Sequence, residues 1–459
     1  MKTVHFKLIK KILLGLLALI ISLFIIGYLA FYFFVQTNLD YYKNELVKEI
    51  SKATNKKVTI ETFDASWNIT NPRFIIKDFS IYADSSEKAF TFEKFEVDIS
   101  WMSLLKFELV LDQVTLYDLA VEIQKNSETD YLIGGWKVSY DPNSNDEFDG
   151  KLINWLLNQD EVQMINAKII WIDKTRANSP PLVLNDINLS YSTSDILSYL
   201  DRHLFYLDFF SSAGTKEKIS LSGHFDADSI NELLKADGAL SFKFDALNLY
   251  AFSPWIDYPL TIKDGTGSLS INIEFENGRL KEGGSSFSVQ NLNANTIDNP
   301  KQGLVFKDIS GEFEYKLVND DINIILDNLF LTTNSKLQFE DSAASIKYNF
   351  ETNQINKATL VVDRFDLGSV KEISNQFLPE DHRVNVIINE LQARGEIDDL
   401  KLKWDRTGDE EEPNLKLKAK FLELEINEFE SFPGLKNITG EVNIENEKGI
   451  IRSVSRDVK

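Results

Sequence analysis

The chain has 459 residues, a formal net charge of −22, 43% hydrophobic residues including 32 Phe, and no cysteine. That much apolar, strand-favouring material excludes a disordered chain. The absence of cysteine excludes disulfides, thiolate metal sites and cysteine nucleophiles, and the acidic balance argues against a nucleic-acid partner.

The first 35 residues carry Lys2, Lys7, Lys10 and Lys11 and no acid, and Ile12 to Val35 are all uncharged. A helix of that run measures about 36 Å, enough to cross a bilayer with some tilt. A cleaved signal peptide would end in small residues, whereas this run ends in Phe31, Tyr32, Phe33 and Phe34, which suit a lipid interface. We therefore expect a basic cytoplasmic tail at 1–11, a retained transmembrane anchor from Ile12 to Val35, and export of everything beyond.

Leu39, Tyr42, Leu46 and Ile50 follow at spacings of three or four, which predicts a short amphipathic helix ending near Thr54-Asn55. The pattern then switches to a period of two. Phe95, Val97 and Ile99 alternate with Glu96, Asp98 and Ser100, and the same alternation returns at Leu269, Ile271, Ile273 and Phe275. It returns again at Phe313, Tyr315 and Leu317, and at Leu415, Leu417, Ala419 and Phe421. Asp237-Gly238, Asn277-Gly278 and Asn319-Asp320 read as tight turns between such strands, so an antiparallel meander is expected. Helical spacing is confined to LINWLLNQ at 152–159 and DLGSVKEISNQFL at 366–378. The acidic stretches 141–150 and 406–414 read as loops that separate sections at 36–140, 151–405 and 415–459. Gly267, Gly311, Gly395 and Gly440 each introduce an alternating strand, as a degenerate repeat of about 42 residues would.

Catalytic signals are absent from this pattern. His5, His203, His224 and His382 have no ligand spacing, the Gly pairs at 134–135 and 283–284 read as turns, and Asp320-Asp321 and Asp398-Asp399 read as chance adjacency. No enzyme, metal or cofactor is expected. A long sheet with one oily face must bury it against a second sheet, against itself as a barrel, or against a ligand such as lipid acyl chains.

The stretch LVKEISKATNKKVTIETFDASWNITNPRFIIKDFSIY at 46–82 resembles the start of AsmA-like proteins. GGWKVSY at 134–140, LINWLLNQDEVQMINAKIIWID at 152–173, PLVLNDINLSY at 181–191 and FPGLKNITGEVNIENEKG at 432–449 are similar to the YhdP branch of that family. The resemblance implies a mainly β fold: an N-terminal transmembrane helix, then an elongated, repetitive antiparallel groove, taco-like, with a few short helices. It also implies an inner-membrane, periplasmic protein that carries phospholipid between inner and outer membranes. Acyl chains would then contact Phe95, Val97, Ile99, Phe242, Phe244, Leu269, Ile271, Ile273, Phe275, Phe313, Tyr315, Leu317, Leu415, Leu417 and Phe421. The partners expected are phospholipid, the inner membrane and outer-membrane or other envelope proteins. Members of the branch are generally longer, so a truncated product is expected. The alternative is an envelope scaffold whose β-sandwich domains bind other proteins and hold no lipid.

Overall fold

A computed structural model describes residues 14–15, 18–19, 21–22, 24–54, 56–68, 71–82, 88–100, 103, 110–134, 136–139, 157, 159–177, 179–194, 202–227, 232, 235–258, 260–296, 303–333, 338–377, 382–406, 413–428, 434–446 and 448–454. The chain forms two compact units, Met1–Phe209 with Asp228–Ile230, and Phe210–Ala227 with Asn231–Lys459. Each is mainly β, with largely antiparallel pairing and few helices.

In the first unit, residues 24–30 are helical, Phe31–Val35 form a π-helical turn and Gln36–Asn38 a 3-10 turn. Helix α1 (Leu39–Thr54) follows, where the periodicity expects one. Among the described residues no helix is long and apolar enough to cross a membrane. Ile12, where the expected span begins, lies outside the described residues, and Val35 ends the π turn. Leu46, Val47 and Ile50 of α1 pack on a cluster of Val58, Ile60, Ile76, Phe79, Ile81 and Phe92, while Tyr42 of the expected stripe stays exposed. Lys43 Nζ donates to the Glu61 carbonyl at 2.5 Å and ties the helix to the first strand.

Strands β1 (Val58–Asn68), β2 (Asn71–Tyr82) and β3 (Lys88–Ile99) form an antiparallel meander. β4 (Leu111–Tyr117) and β5 (Ala120–Lys125) flank Asp118, whose φ is 52°, and both pair antiparallel with β3. Both also pair parallel with β8 (Glu161–Asp173), which departs from the expected meander. The cause is the hairpin of β6 (Asp130–Ile133) and β7 (Trp136–Ser139) on β5: it diverts the chain, and a parallel return needs a long connection. β9 (Leu182–Ser194) pairs with β8 and with β10 (Arg202–Ser211), which runs to the unit boundary. The expected helix at 152–159 and the expected loop at 141–150 lie almost entirely outside the described residues.

The second unit is one ladder in which each strand pairs antiparallel with the next. Its strands are β11 (Ile219–Asp226), β12 (Asp237–Asn248), β13 (Leu260–Glu276), β14 (Arg279–Thr296), β15 (Gly303–Val318) and β16 (Asp321–Thr333). β17 (Gln338–Asn349), β18 (Gln354–Asp366), β19 (Arg394–Asp405), β20 (Asn414–Ile426), β21 (Leu435–Glu445) and β22 (Lys448–Val454) continue it. Two helical insertions interrupt it: α2 (Leu249–Phe252) after β12, and the pair α3 (Leu367–Phe377) and α4 (Arg383–Leu391) after β18. Asn248 caps α2 by accepting from Ala251 N–H at 3.0 Å, and Asp366 caps α3 by accepting from Ser369 N–H at 2.9 Å. The sequence expects α3 and misses α4, because the β-branched residues of RVNVIINEL resemble a strand. Fully buried Asn385 of α4 accepts from Ser374 Oγ of α3 at 3.0 Å and holds the pair together.

Asn277 (φ 51°) with Gly278 (φ 70°) makes the expected two-residue hairpin turn, and Asn319 (φ 56°) begins another. Two expected turns are not turns. Asp237-Gly238 opens β12, and Gly283-Gly284 lies within β14, where the Phe275 ring fills the space over Gly238 and the Tyr315 ring that over Gly283. Gly267, Gly311 and Gly440 lie inside β13, β15 and β21, and Gly395 opens β19, so the repeating unit is a hairpin. Left-handed residues interrupt the strands at Ala246, Asn291, Asn328, Asp399, Glu423 and Asn437, and the register shifts beside most of them. Each such bulge bends its strand and sharpens the local twist.

Candidate functional site

Side chains directly opposed across an antiparallel ladder point to the same face, so register converts sequence alternation into rows. One row in the second unit runs Leu221, Phe242, Ile271, Ser285, Phe313, Leu326, Ala344, Leu360, Leu402, Leu417, Ile444 and Gly449, one residue from every strand β11 to β22. At about 4.8 Å per strand it spans roughly 50 Å. Ser285 is its one polar side chain. Beside it runs a second row, Leu240, Ile273, Gly283, Tyr315, Ile324, Ile346, Ala358, Trp404 and Leu415. The opposite face is read one residue over: Ser222, Ser241, Asn272, Gly284, Glu314, Ile325, Ser345, Thr359, Lys403, Lys416, Glu445 and Lys448. Along these rows one face is hydrocarbon and the other, apart from Ile325, is hydrophilic.

The apolar rows are only half covered. Ile324 is 37% exposed, Ile346 39% and Leu415 36%, and most of the remaining members are half-buried. Every described strand of the unit is already used in the one ladder, so no second described sheet is left to cover the rows. Phe242, Phe244, Leu269, Ile271, Ile273, Phe275, Phe313, Tyr315, Leu317, Leu415 and Leu417 all lie on this face, and Phe421 is buried on it. Phe95, Val97 and Ile99 sit differently, in the first unit. Val97 is buried with Leu111, Val114 and Val162, and Phe95 and Ile99 pack against that cluster. Sequence reasoning missed Leu221, Leu326, Leu360, Leu402 and Ile444, which only cross-strand register could have added.

Aromatic rings are seated on glycines along these rows. Each of Phe275, Tyr315, Phe287 and Phe421 is directly opposed to a glycine: Gly238, Gly283, Gly311 and Gly440 in turn. A Cβ on those glycines would fall 2.6 to 3.1 Å from the ring atoms. A ring lying over a glycine restores the packing the missing side chain forfeits. Tyr315 carries its hydroxyl into this apolar setting, and burial pushes its phenol pKa up.

The hydrophilic face carries ion pairs, including Lys316 with Glu282 at 2.5 Å, Lys347 with Asp321 at 2.9 Å and Arg364 with Asp398 at 2.7 Å. Of the aspartates that the sequence sets side by side, Asp321 and Asp398 are thus engaged in pairing, as is Asp399 with Lys420. Exposed pairs of this kind contribute little stability. A concavity of about 720 Å³ lies over the Gly283-Gly284 step, lined by hydrophilic-row residues such as Ser222, Ser241, Asn272 and Glu314 together with Leu240, Ile273 and Tyr315 of the second apolar row. Among the described residues no group of three or more His, Asp or Glu could hold a metal ion.

A family model described as YhdP protein matches residues 1–459, the full chain. The chain belongs to the YhdP family. No curated protein matches it at a significant level. Membership in the YhdP family and the large β-sheet together fit a groove protein. In the first unit of this YhdP-family chain, the N-terminal helix is seated on the β1–β2 hairpin. Phe24, Tyr28 and Phe31, one helical stripe, set their ring centroids 5.3 to 5.5 Å from Trp67, edge to face. Phe31 also touches Phe74 at 6.0 Å.

Proposed function

We propose that this YhdP-family chain is a non-enzymatic, membrane-anchored groove protein that shields phospholipid acyl chains and supports phospholipid transport between the inner and outer membranes. The observation that carries the reading is the apolar row that crosses all twelve strands of the second unit without a charge. Hydrocarbon laid on it leaves water at about 0.8 kcal/mol per methylene, and charged head groups stay in solvent at the rim. Residues 12–35 anchor the chain in the inner membrane with residues 1–11 in the cytoplasm and the bulk in the periplasm. The seat of Phe24, Tyr28 and Phe31 on Trp67 then keeps the first hairpin at the bilayer surface, where lipid would be taken up. Envelope proteins at the far membrane are the expected further partners.

The test is native mass spectrometry of the gently purified full chain, with photocrosslinking from a photoreactive residue at position 275. The parent should carry phospholipid and crosslink to acyl chains. Ile271→Asp combined with Ile273→Asp, which places two charges in adjacent rows, should lose both signals while the fold persists by circular dichroism. A parent that carries no phospholipid, or a double variant that carries as much as the parent, overturns the reading in favour of a protein-binding scaffold.

A further inference from the structure

Ser285 and Tyr315 are neighbours on the apolar face. Ser285 is opposed to Phe313, and Tyr315, two residues on from Phe313, is opposed to Gly283. Both hydroxyl oxygens are withdrawn from solvent, and neither has a hydrogen-bond partner. A Cβ at Gly283 would fall 2.9 Å from the Tyr315 hydroxyl, so that oxygen lies over β14 two residues from Ser285, about 7 Å along the same strand. Ile271 and Ile273 flank the pair from β13. A buried hydroxyl left without a partner costs about 1–3 kcal/mol, so two of them side by side call for an acceptor.

Resting on the lipid-groove reading above, we infer that Ser285 and Tyr315 form a hydrogen-bonding station for the ester carbonyl oxygens of a diacyl lipid. The chemistry selects the ester. A neutral hydroxyl in hydrocarbon surroundings donates well to an uncharged carbonyl, while a phosphate or ammonium would be stripped of water there at much greater cost. The acyl chains run along the apolar rows on either side, and the ester groups are the one polar part of such a lipid that lies next to its hydrocarbon. Gly283 has no side chain to lock the Tyr315 ring in place, so a swing of that ring presents its hydroxyl to an incoming carbonyl.

The experiment is a competition on the full chain. Equal amounts of a diester phospholipid and its diether analogue, with the same head group and chain lengths, are offered, and the retained species are weighed by native mass spectrometry. The parent should retain the diester with roughly tenfold preference, as two neutral hydrogen bonds would give. Tyr315→Phe with Ser285→Ala should bind the two lipids equally, through loss of diester retention, with a thermal midpoint no lower than the parent's. A parent that binds both lipids without preference overturns the station and leaves the groove standing. A double variant that keeps the preference, or that melts well below the parent because the hydroxyls served the fold, also overturns it. Retention of neither lipid overturns the station together with the reading beneath it.

Discussion

The ring of Phe275 lies over Gly238, the residue directly opposite it across β12 and β13, with a position for a Cβ only 2.6 Å from its Cζ. The His224 carbonyl closes the same space from the other side. Gly238→Ala should therefore cost about 2–3 kcal/mol, because a backbone oxygen cannot step aside. At Gly311 the nearest neighbour is the Phe287 ring at 3.1 Å, which can give. Gly311→Ala should cost about 1 kcal/mol and nothing further in a Phe287→Ala background. Urea midpoints of the four variants check both statements.

Ala246 holds φ at 51° inside β12, and its N–H donates to Ser268 Oγ at 3.0 Å. Most other bulges of the ladder place Asn or Asp at this conformation, which those residues tolerate. Ala246→Gly should relieve about 1–2 kcal/mol of strain against about 0.5–1 kcal/mol of added chain entropy. A small rise in the unfolding midpoint is expected, and a fall would show that the Ala246 methyl packs more than the strain costs.

Asn385, fully buried in α4, accepts from Ser374 Oγ at 3.0 Å and from Asn389 Nδ2 at 3.3 Å. Asn385→Ala removes this shared acceptor, leaving Ser374 Oγ only the Lys371 carbonyl, and should cost about 1–3 kcal/mol. The loss should be local to the helical pair, so limited proteolysis should cut within 367–391 sooner in the variant, while the β-sheet circular dichroism is kept.

Asp173 accepts from Thr175 Oγ1 at 2.5 Å and from Thr175 N–H at 2.9 Å, and the hydroxyl bond is the main cause that holds its pKa below the usual carboxylate range. A depressed carboxylate contributes stability that is present above the unfolded-state pKa, about 3.9, and is lost as pH falls through the folded value. Thr175→Val should be less stable than the parent at pH 7. The two acid-denaturation curves should converge once pH has fallen through the folded value; a gap that persists in the fully protonated range would assign the loss to packing.

The alternation at Phe313, Tyr315 and Leu317 was readable from the chain, as were α1, α3 and the Asn277-Gly278 turn, because each depends on residues close in sequence. The rows were not. They depend on register, and register is set partly by bulges such as the one at Asn328, where the strand slips against β15 between Ser310 and Glu312. Gly283-Gly284 looked like a turn because nothing local reveals that Tyr315, more than thirty residues on, lies over it. The same limit hid the Ser285 and Tyr315 pairing. Serine in an alternating strand reads as the wet face, yet its register puts it on the oily one.

Because neighbouring strands offer nearly the same aliphatic surface at each 4.8 Å step, a hydrocarbon tail shifted by one strand meets surroundings much like those it left. Leu326, Ala344, Leu360 and Leu402 differ in bulk but scarcely in chemistry. The energy profile for sliding along them is a gentle corrugation without deep wells. On the proposed lipid-carrying role, cargo on such a track would drift by thermal agitation, and net flow would be governed by supply at one end and removal at the other.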